Sequence, residues 1–296
     1  MYGNKNAAAA DSLEKRYLAL KIKKIIFDIL KYFTLILMSL IFILPILTIV
    51  LGSFKDHTEF YTMSKLALPK SFANISNFKT AFIDGGMLNG FKNTVIILAF
   101  SLTGSILFGA MVGYVVSRFD FWGKKLILGL FFAAMLIPMV TTQVATYQIV
   151  THLHLVDTIW SAIVLYLGAD VMSIYIMMQF VDCLPVSIDE SAMLDGASYF
   201  TIFFRCILPN LKPAIATIAI IRGVAIYNDF YIPFLYMPDS NLGTMSTSLF
   251  RFKGPYGSSW EVICAGVILV MVPTLIAFLA LQKYIYNGFT SGSVKG

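Results

Sequence analysis

Charged residues are scarce in this chain. Only 13% of its 296 residues are Asp, Glu, Lys or Arg, and 58% are hydrophobic, whereas soluble domains carry about 25% charged residues. This composition is a poor fit to a water-soluble core. The apolar residues form continuous runs and do not alternate with polar ones, which favours membrane-spanning helices over a β-barrel. We therefore predict an all-α polytopic membrane protein.

The sequence motifs of metal sites, nucleotide sites and intramembrane enzymes are also missing. No G-x-x-x-x-G-K-[ST] occurs, so the chain has no phosphate-binding loop of that type. No H-E-x-x-H, no Ser–His pair and no paired Asp on G-x-G-D motifs occur in the apolar runs, which argues against an intramembrane enzyme. His152 and His154 have no neighbouring acid or cysteine cluster, so we expect no metal there. Three cysteines without C-x-x-C spacing support neither zinc nor a disulfide framework: Cys183, Cys206 and Cys264.

Six apolar runs are long enough to cross about 30 Å of hydrocarbon. The first is too long for the core of a signal peptide, so we expect an uncleaved span. With the N-terminus inside, 14 Lys and Arg residues face the cytoplasm and 7 face outward, which places both termini in the cytoplasm. The predicted organisation is a cytoplasmic segment 1–31, a membrane region 32–283 and a cytoplasmic tail 284–296. The predicted spans are about Tyr32–Gly52, Thr94–Val116, Leu126–Val150, Ile159–Val181, Ala214–Met237 and Val262–Leu281.

A polar stretch, S-I-D-E-S-A-M-L-D-G-A-S (Ser187–Ser198), separates the fourth span from the fifth and faces the cytoplasm in this orientation. Ser187 and Glu190 have the spacing of a capping box, Asp189 and Glu190 suit a first helical turn, and Gly196 predicts the end of that helix. We interpret the stretch as a docking surface for a soluble partner; an interfacial helix lying on lipid is the alternative. Beyond it, a spacing of three and four predicts one apolar helical face, formed by Tyr199, Phe200, Phe203, Phe204 and Ile207.

The same stretch resembles the EAA loop of the membrane subunits of bacterial ATP-binding-cassette (ABC) importers, written E-A-A-x-x-D-G-A, a spacer and I-L-P. It departs from that pattern at Ser191, where the family usually has Ala. Residues 112–125, 136–168 and 226–237 are similar to the carbohydrate-uptake branch, and most resemble the second membrane subunit of maltose-type importers. Tyr227 stands where that branch usually has Trp. The matching loop residues are Glu190, Ala192, Asp195, Gly196, Ala197, Ile207, Leu208 and Pro209.

The resemblance implies a type I ABC importer permease with about six transmembrane helices and a coupling helix in the loop 185–213. The implied solute is a sugar or oligosaccharide, with glycerol phosphate or a polyol as the alternative. A secondary carrier would instead show internal hydropathy repeats and no coupling helix. The residues implied to contact the ATPase are Glu190, Ala192, Asp195, Gly196, Ala197 and Pro209 in the loop, and Gly292, Val294, Lys295 and Gly296 in the tail.

Three kinds of protein partner are implied by the same resemblance. They are a second permease that completes a heterodimeric pore, a dimer of ATPase subunits, and an extracellular solute-binding protein. The ATPase subunits would bind ATP and Mg, so no cofactor is expected in this chain, and no nucleic acid. The implied location is the bacterial cytoplasmic (inner) membrane.

Charged residues within the predicted spans are costly, at about 2.5–3.5 kcal/mol near the bilayer centre. Asp170 and Arg222 lie at nearly the same predicted depth, so we expect them to pair or to line a polar cavity. A structural ion pair remote from the solute is the alternative. Asn228 and Asp229 are interpreted as structural or gate residues, and Tyr227 as a pore candidate. Four tyrosines could each stack on a sugar ring, and the sequence does not distinguish among them: Tyr147, Tyr166, Tyr175 and Tyr227.

Overall fold

The computed structural model describes residues 3–168, 170–254 and 257–293. The chain divides into a first compact unit, residues 1–74, and a second, residues 75–296, which we describe separately. Helices make up almost all of the regular structure, which confirms the predicted all-α class. The sheet found in the described residues is a pair of two-residue antiparallel strands, β1 (Lys253–Gly254) and β2 (Gly257–Ser258).

The first unit is dominated by α1 (Gly3–Ser53), whose apolar part, Leu20–Ser53, is long enough to cross a membrane. This helix runs without a break across residue 31, where the sequence predicts the boundary between the cytoplasmic segment and the first span. The boundary stays a prediction.

A short second helix, α2 (His57–Thr62), completes the first unit. The Asp56 carboxylate caps it by accepting from the backbone N–H of Glu59 at 2.7 Å. Before the cap, Lys55 is 1% exposed and its Nζ donates to the Ser64 carbonyl at 2.8 Å. Burial, reinforced by the nearby charge of Lys65, lowers the pKa of Lys55. The turn after α1 is therefore held by a buried cation bonded to backbone oxygen.

The second unit holds the remaining helices. They are α3 (Ser76–Ile83), α4 (Met87–Arg118), α5 (Lys124–Met135), α6 (Met139–His152), α7 (Ile159–Leu167), α8 (Val171–Asp182), α9 (Ser187–Leu194), α10 (Tyr199–Ile202), α11 (Leu208–Asn210), α12 (Lys212–Asn228), α13 (Tyr231–Tyr236), α14 (Met245–Ser248) and α15 (Trp260–Ser293). Within the described chain, α1, α4 and α15 each contain a stretch that could span a membrane alone. Three bent pairs of helices pass the same test together, and counting each pair as one span gives the predicted six.

The structure corrects the predicted shape of three spans. The fourth, predicted as continuous from Ile159 to Val181, is bent by 45° between α7 and α8. The third, predicted as continuous from Leu126 to Val150, is broken before α6, which is bent by 104° from α5. Pro138 stands at that break and has no N–H with which to continue the α5 hydrogen-bond ladder. The fifth, predicted to continue to Met237, ends at Asn228, because Asp229 has an extended backbone and its carboxylate accepts from the N–H of Tyr231 at 2.7 Å.

A buried cluster fixes the position of α4 against α8 and against the segment that follows α9. The two helices approach so closely that a Cβ on Gly113 would lie 2.9 Å from both the Met177 Cβ and the Met178 backbone nitrogen. Because Gly has no side chain, the backbones pack in direct contact there. The cluster therefore joins one end of α4 to the loop 185–213. Its buried members are Ala110, Tyr114, Met177, Val181, Ile202, Phe203, Ile207, Leu211, Ala214 and Ile218.

Candidate functional site

The predicted loop helix exists as α9, and it ends where expected. Gly196 has a φ of +80°, a left-handed conformation that suits Gly at the end of a helix. The predicted capping box is wrong. Ser187 already lies inside the helix, and the Glu190 N–H donates to the carbonyl of Val186 at 3.1 Å, so Ser187 does not cap it.

The outward face of this loop combines acidic and apolar side chains. Leu194 is 90% exposed at the end of α9. Ala192 and Ala197 are half-buried and pack on the cluster beneath α4, so they hold the helix and leave its outer face free. Four of the loop residues that match the EAA pattern are exposed: Glu190, Asp195, Gly196 and Pro209.

The apolar face predicted after Gly196 is only partly correct. Phe203 and Ile207 are buried, as expected, but the other three members are exposed. The cause is a π-helical turn over Phe203–Ile207, in which the N–H of Leu208 donates to the Phe203 carbonyl. Pro209 follows at once and cannot donate to the ladder. The extra residue in this turn rotates the helix, so the spacing of three and four no longer defines one face. The exposed members are Tyr199, Phe200 and Phe204.

Asp189 lies on the opposite side of α9 from the acids that face outward, and sequence reasoning missed this. It is 3% exposed. Its Oδ1 accepts from the Tyr114 hydroxyl at 2.6 Å, and its Oδ2 lies 3.1 Å from the Arg118 Nε. Arg118 also donates from Nη2 to the Leu184 carbonyl at 2.8 Å. Asp189 is therefore not available on the docking surface predicted for the stretch Ser187–Ser198, because its carboxylate bonds to the end of α4.

A second cluster of polar and charged side chains lies within the predicted spans. The Arg222 Nε is 3.0 Å from the Asp170 Oδ2, which confirms the expected pairing, although the Nε–H is not aligned on that oxygen and the contact is Coulombic. Arg222 also donates from Nη2 to the Tyr166 carbonyl at 3.0 Å, and the Tyr166 hydroxyl donates to the Asp229 Oδ2 at 2.8 Å. Ser173 donates to Asp170. These contacts link α7, α8 and α12.

Comparison with known proteins identifies the family. Residues 105–290 match the family described as binding-protein-dependent transport system inner membrane component. The chain belongs to this family. It is a transporter subunit and not an enzyme.

Named relatives cover most of the chain. The probable ABC transporter permease protein YurM of Bacillus subtilis is 31% identical over 85% of this chain and 83% of its own length. The melibiose/raffinose/stachyose import permease protein MelC of the same species is 33% identical over 74% and 80%. The arabinooligosaccharides transport system permease protein AraQ of Halalkalibacterium halodurans is 29% identical over 87% and 93%.

A solved structure shares the fold. A chain of a bacterial ABC transporter involved in the import of the acidic polysaccharide alginate superposes with a TM-score of 0.76 at 19% sequence identity. The match covers 88% of this chain and 96% of that one. The type I permease fold implied by the resemblance is therefore confirmed.

The other pore candidates of this permease lie in different surroundings. Tyr227 is 8% exposed and its hydroxyl donates to the Val270 carbonyl at 2.8 Å, so it packs against α15. Asn228 is exposed at the end of α12. The Asp229 backbone carbonyl accepts from the Ser246 hydroxyl at 2.6 Å. A role for any of them in the pore stays a prediction.

Two of the cavities between the described helices of the second unit are lined by pore candidates, Tyr227 in one and Asp170 in the other. One of about 320 Å³ lies between α4, α12 and α15 and is lined almost entirely by apolar side chains. The other, of about 220 Å³, includes Asp170 and Ser105 in its lining. The Ser105 hydroxyl is buried and makes no hydrogen bond within the described residues. The ion pair is thus next to a partly polar cavity.

The predicted contact in the tail falls almost wholly beyond the described part of the permease. Gly292 belongs to the last turn of α15. Val294, Lys295 and Gly296 lie outside the described residues. The role of the tail stays a prediction.

Proposed function

We propose that this permease is one half of the translocation pore of an ABC importer for a sugar or an oligosaccharide. Relatives named for arabinooligosaccharides, for melibiose, raffinose and stachyose, and for maltodextrin support this solute class. A second candidate is another polar solute, such as glycerol phosphate or a polyol, carried by the same architecture.

The proposed complex contains a second permease, a dimer of ATPase subunits that bind ATP and Mg, and an extracellular solute-binding protein. The family description supports the binding protein, and the missing phosphate-binding loop supports a separate ATPase. The family description supports a location in the inner membrane, and the distribution of Lys and Arg supports an orientation with both termini inside. The loop 185–213 then faces the ATPase.

The observation that carries the proposal is a short helix with an exposed outer face and an anchored inner face. In the proposed mechanism, α9 sits in a groove of the ATPase, where burial of Leu194 would contribute about 1.5–3 kcal/mol. Exposed Glu190 and Asp195 would meet polar groups at the rim of that groove. Closure of the ATPase dimer on ATP would move α9, and the helices joined to α9 would change from inward- to outward-facing.

A matched pair of glycine substitutions tests the proposal. Gly196→Asp puts a charged residue at the end of α9, where φ is +80° and strains any side chain. Gly123→Asp does the same before α5, where φ is +91°. At neither position does another atom lie within 4 Å of an added Cβ. Both variants add the same charge and similar strain. We expect Gly196→Asp to abolish ATP-dependent uptake of maltotriose, raffinose or arabinotriose by the complete complex in proteoliposomes, and Gly123→Asp to retain it.

Membrane insertion and ATP binding by the ATPase subunits serve as controls and should be unchanged in both variants. Uptake that persists in Gly196→Asp would contradict the proposed coupling helix. Uptake driven by a proton or sodium gradient without ATP would contradict the proposed importer.

A further inference from the structure

A buried polar contact joins α9 to the end of α4. We name Tyr114, Arg118 and Asp189 the inner latch. The Asp189 carboxylate uses both oxygens, one for the Tyr114 hydroxyl at 2.6 Å and one for the Arg118 Nε at 3.1 Å. The side chains of Arg118 and Asp189 are 9% and 5% exposed. A paired, hydrogen-bonded charge in such a site is stronger than a surface ion pair.

Tyr114 and Arg118 are four residues apart on one face of α4, so both reach the same carboxylate. Tyr114 is 4% exposed, and its ring lies 5.6 Å from that of Phe203. Arg118 also bonds to the Leu184 carbonyl, in the turn that leads into α9. The latch therefore has a rigid base on α4 and reaches both the start and the interior of the loop helix.

The remaining contacts of α9 with the core are apolar. In the described residues, Ile188 and Ala192 of α9 pack against the cluster beneath α4, as does Ala197 just after the helix. Apolar packing has no fixed direction, so it permits sliding, whereas hydrogen bonds fix direction and register. A helix of eight residues is also too short to be stable alone. The latch is the directional connection between α9 and α4 in the described residues.

We infer that Asp189 is a positioning residue, which makes α9 and α4 move as one body when the ATPase pushes on the loop. The inference rests on the proposed function, since it concerns how that loop transmits force. Without the Asp189 charge, α9 would follow the ATPase while α4 moves less, so ATP would be hydrolysed with less solute carried.

The test measures solute transported per ATP hydrolysed by the complete complex in proteoliposomes. The probe is whichever of maltotriose, raffinose and arabinotriose the wild type takes up. Asp189→Asn keeps the shape of the side chain and removes its charge. We expect the ratio to fall about tenfold while ATP hydrolysis stays within about twofold of wild type. A tenfold fall corresponds to about 1.4 kcal/mol, which is close to the lower limit for one hydrogen bond to a charged group.

Two further variants complete the set. Tyr114→Phe removes only the hydroxyl, so we expect a fall of about threefold in the ratio, and this milder change keeps the test open if Asp189→Asn does not assemble. Asp120→Asn is the matched control: Asp120 follows α4, is fully exposed and pairs with Lys124 at 3.2 Å. It should leave the ratio unchanged. If transport and ATP hydrolysis fall together in the latch variants, the latch is merely structural and the inference is overturned.

A distance measurement tests the same point without the solute. Spin labels at Ser187→Cys on α9 and Asp120→Cys after α4, with the three native cysteines replaced by Ser, report their separation with and without ATP. We expect no change in the wild-type background and an ATP-dependent change in Asp189→Asn. A wild-type separation that changes with ATP would overturn the inference. A wild-type complex that transports nothing with ATP would instead overturn the proposed function.

Discussion

Removing the charge of Arg222 would leave a carboxylate unpaired inside the second unit. In Arg222→Met, Asp170 loses the cation 3.0 Å away, and the Tyr166 carbonyl loses its donor. Breaking a buried ion pair from one side costs about 3–5 kcal/mol. Because the Arg222 side chain is 25% exposed and Asp170 is 14% exposed, solvent screens part of the charge. We expect the lower end, about 3 kcal/mol.

A double-mutant cycle separates the pair from the rest of the site. Asp170→Leu/Arg222→Met removes both charges, and replacing a buried pair by apolar residues is often neutral. We therefore expect the double variant to recover most of the loss in the free energy of unfolding, so the coupling between the two positions should be about 3 kcal/mol or more. The assay is reversible unfolding of the purified permease in mixed micelles, titrated with denaturing detergent.

The reasoning would be refuted if Arg222→Met were as stable as wild type, or if the double variant lost the sum of the two single losses. Transport by the exchanged pair, Asp170→Arg/Arg222→Asp, separates the alternatives left by the sequence. Recovery of uptake together with stability indicates a structural ion pair. Stability without uptake indicates that one of the two groups also has a role in the pore.

Two other substitutions test contacts of α4. Gly113→Ala places a Cβ 2.9 Å from the Met177 Cβ, so it should lower the free energy of unfolding by about 1–3 kcal/mol and the midpoint of thermal unfolding with it. Gly129→Ala is the control, because no other atom lies within 4 Å of its added Cβ. Equal midpoints in the two variants would contradict the close packing. Asn93→Ala removes two hydrogen bonds, to the carbonyls of residues 241 and 243 at 2.9 and 3.0 Å. It should lower the free energy of unfolding by about 1–2 kcal/mol and increase the rate of proteolysis of residues 238–252. Exposed Lys92→Ala is its control, and equal cleavage rates in the two variants would contradict the anchoring role.

The sequence predicted the spans well wherever one apolar run coincides with one helix. Composition and run length suffice there, because a lipid-facing helix needs only enough apolar residues to cover the hydrocarbon. The breaks at Pro138 and at Asp229 were not predicted from the same runs. A hydropathy profile does not detect the missing N–H of Pro138 or the bond from the Asp229 carboxylate to the backbone N–H of Tyr231. Both interruptions were therefore predicted as continuous helix.

The loop shows a different limit. The position of α9 and its end at Gly196 follow from local signals, and both were predicted. The direction of Asp189 depends on Arg118, which is 71 residues away along the chain. Nothing in the local pattern distinguishes Asp189 from Glu190, since both are acids in the first turn of one helix. The Phe203–Ile207 turn was missed because an apolar spacing of three and four assumes a regular helix.

Helix α4 holds a loop at each of its ends. Near its start, the Asn93 amide bonds to the segment at residues 241–243, and the Thr94 hydroxyl accepts from the Met245 N–H at 3.0 Å. Near its other end, Arg118 and Tyr114 hold Asp189. A helix of 32 residues is about 48 Å long, and its close contact with α8 restricts bending near Gly113. A tilt of α4 therefore moves both loops at once and in opposite directions. In the proposed mechanism, a push on α9 therefore also moves the segment at residues 241–245, at the other end of α4.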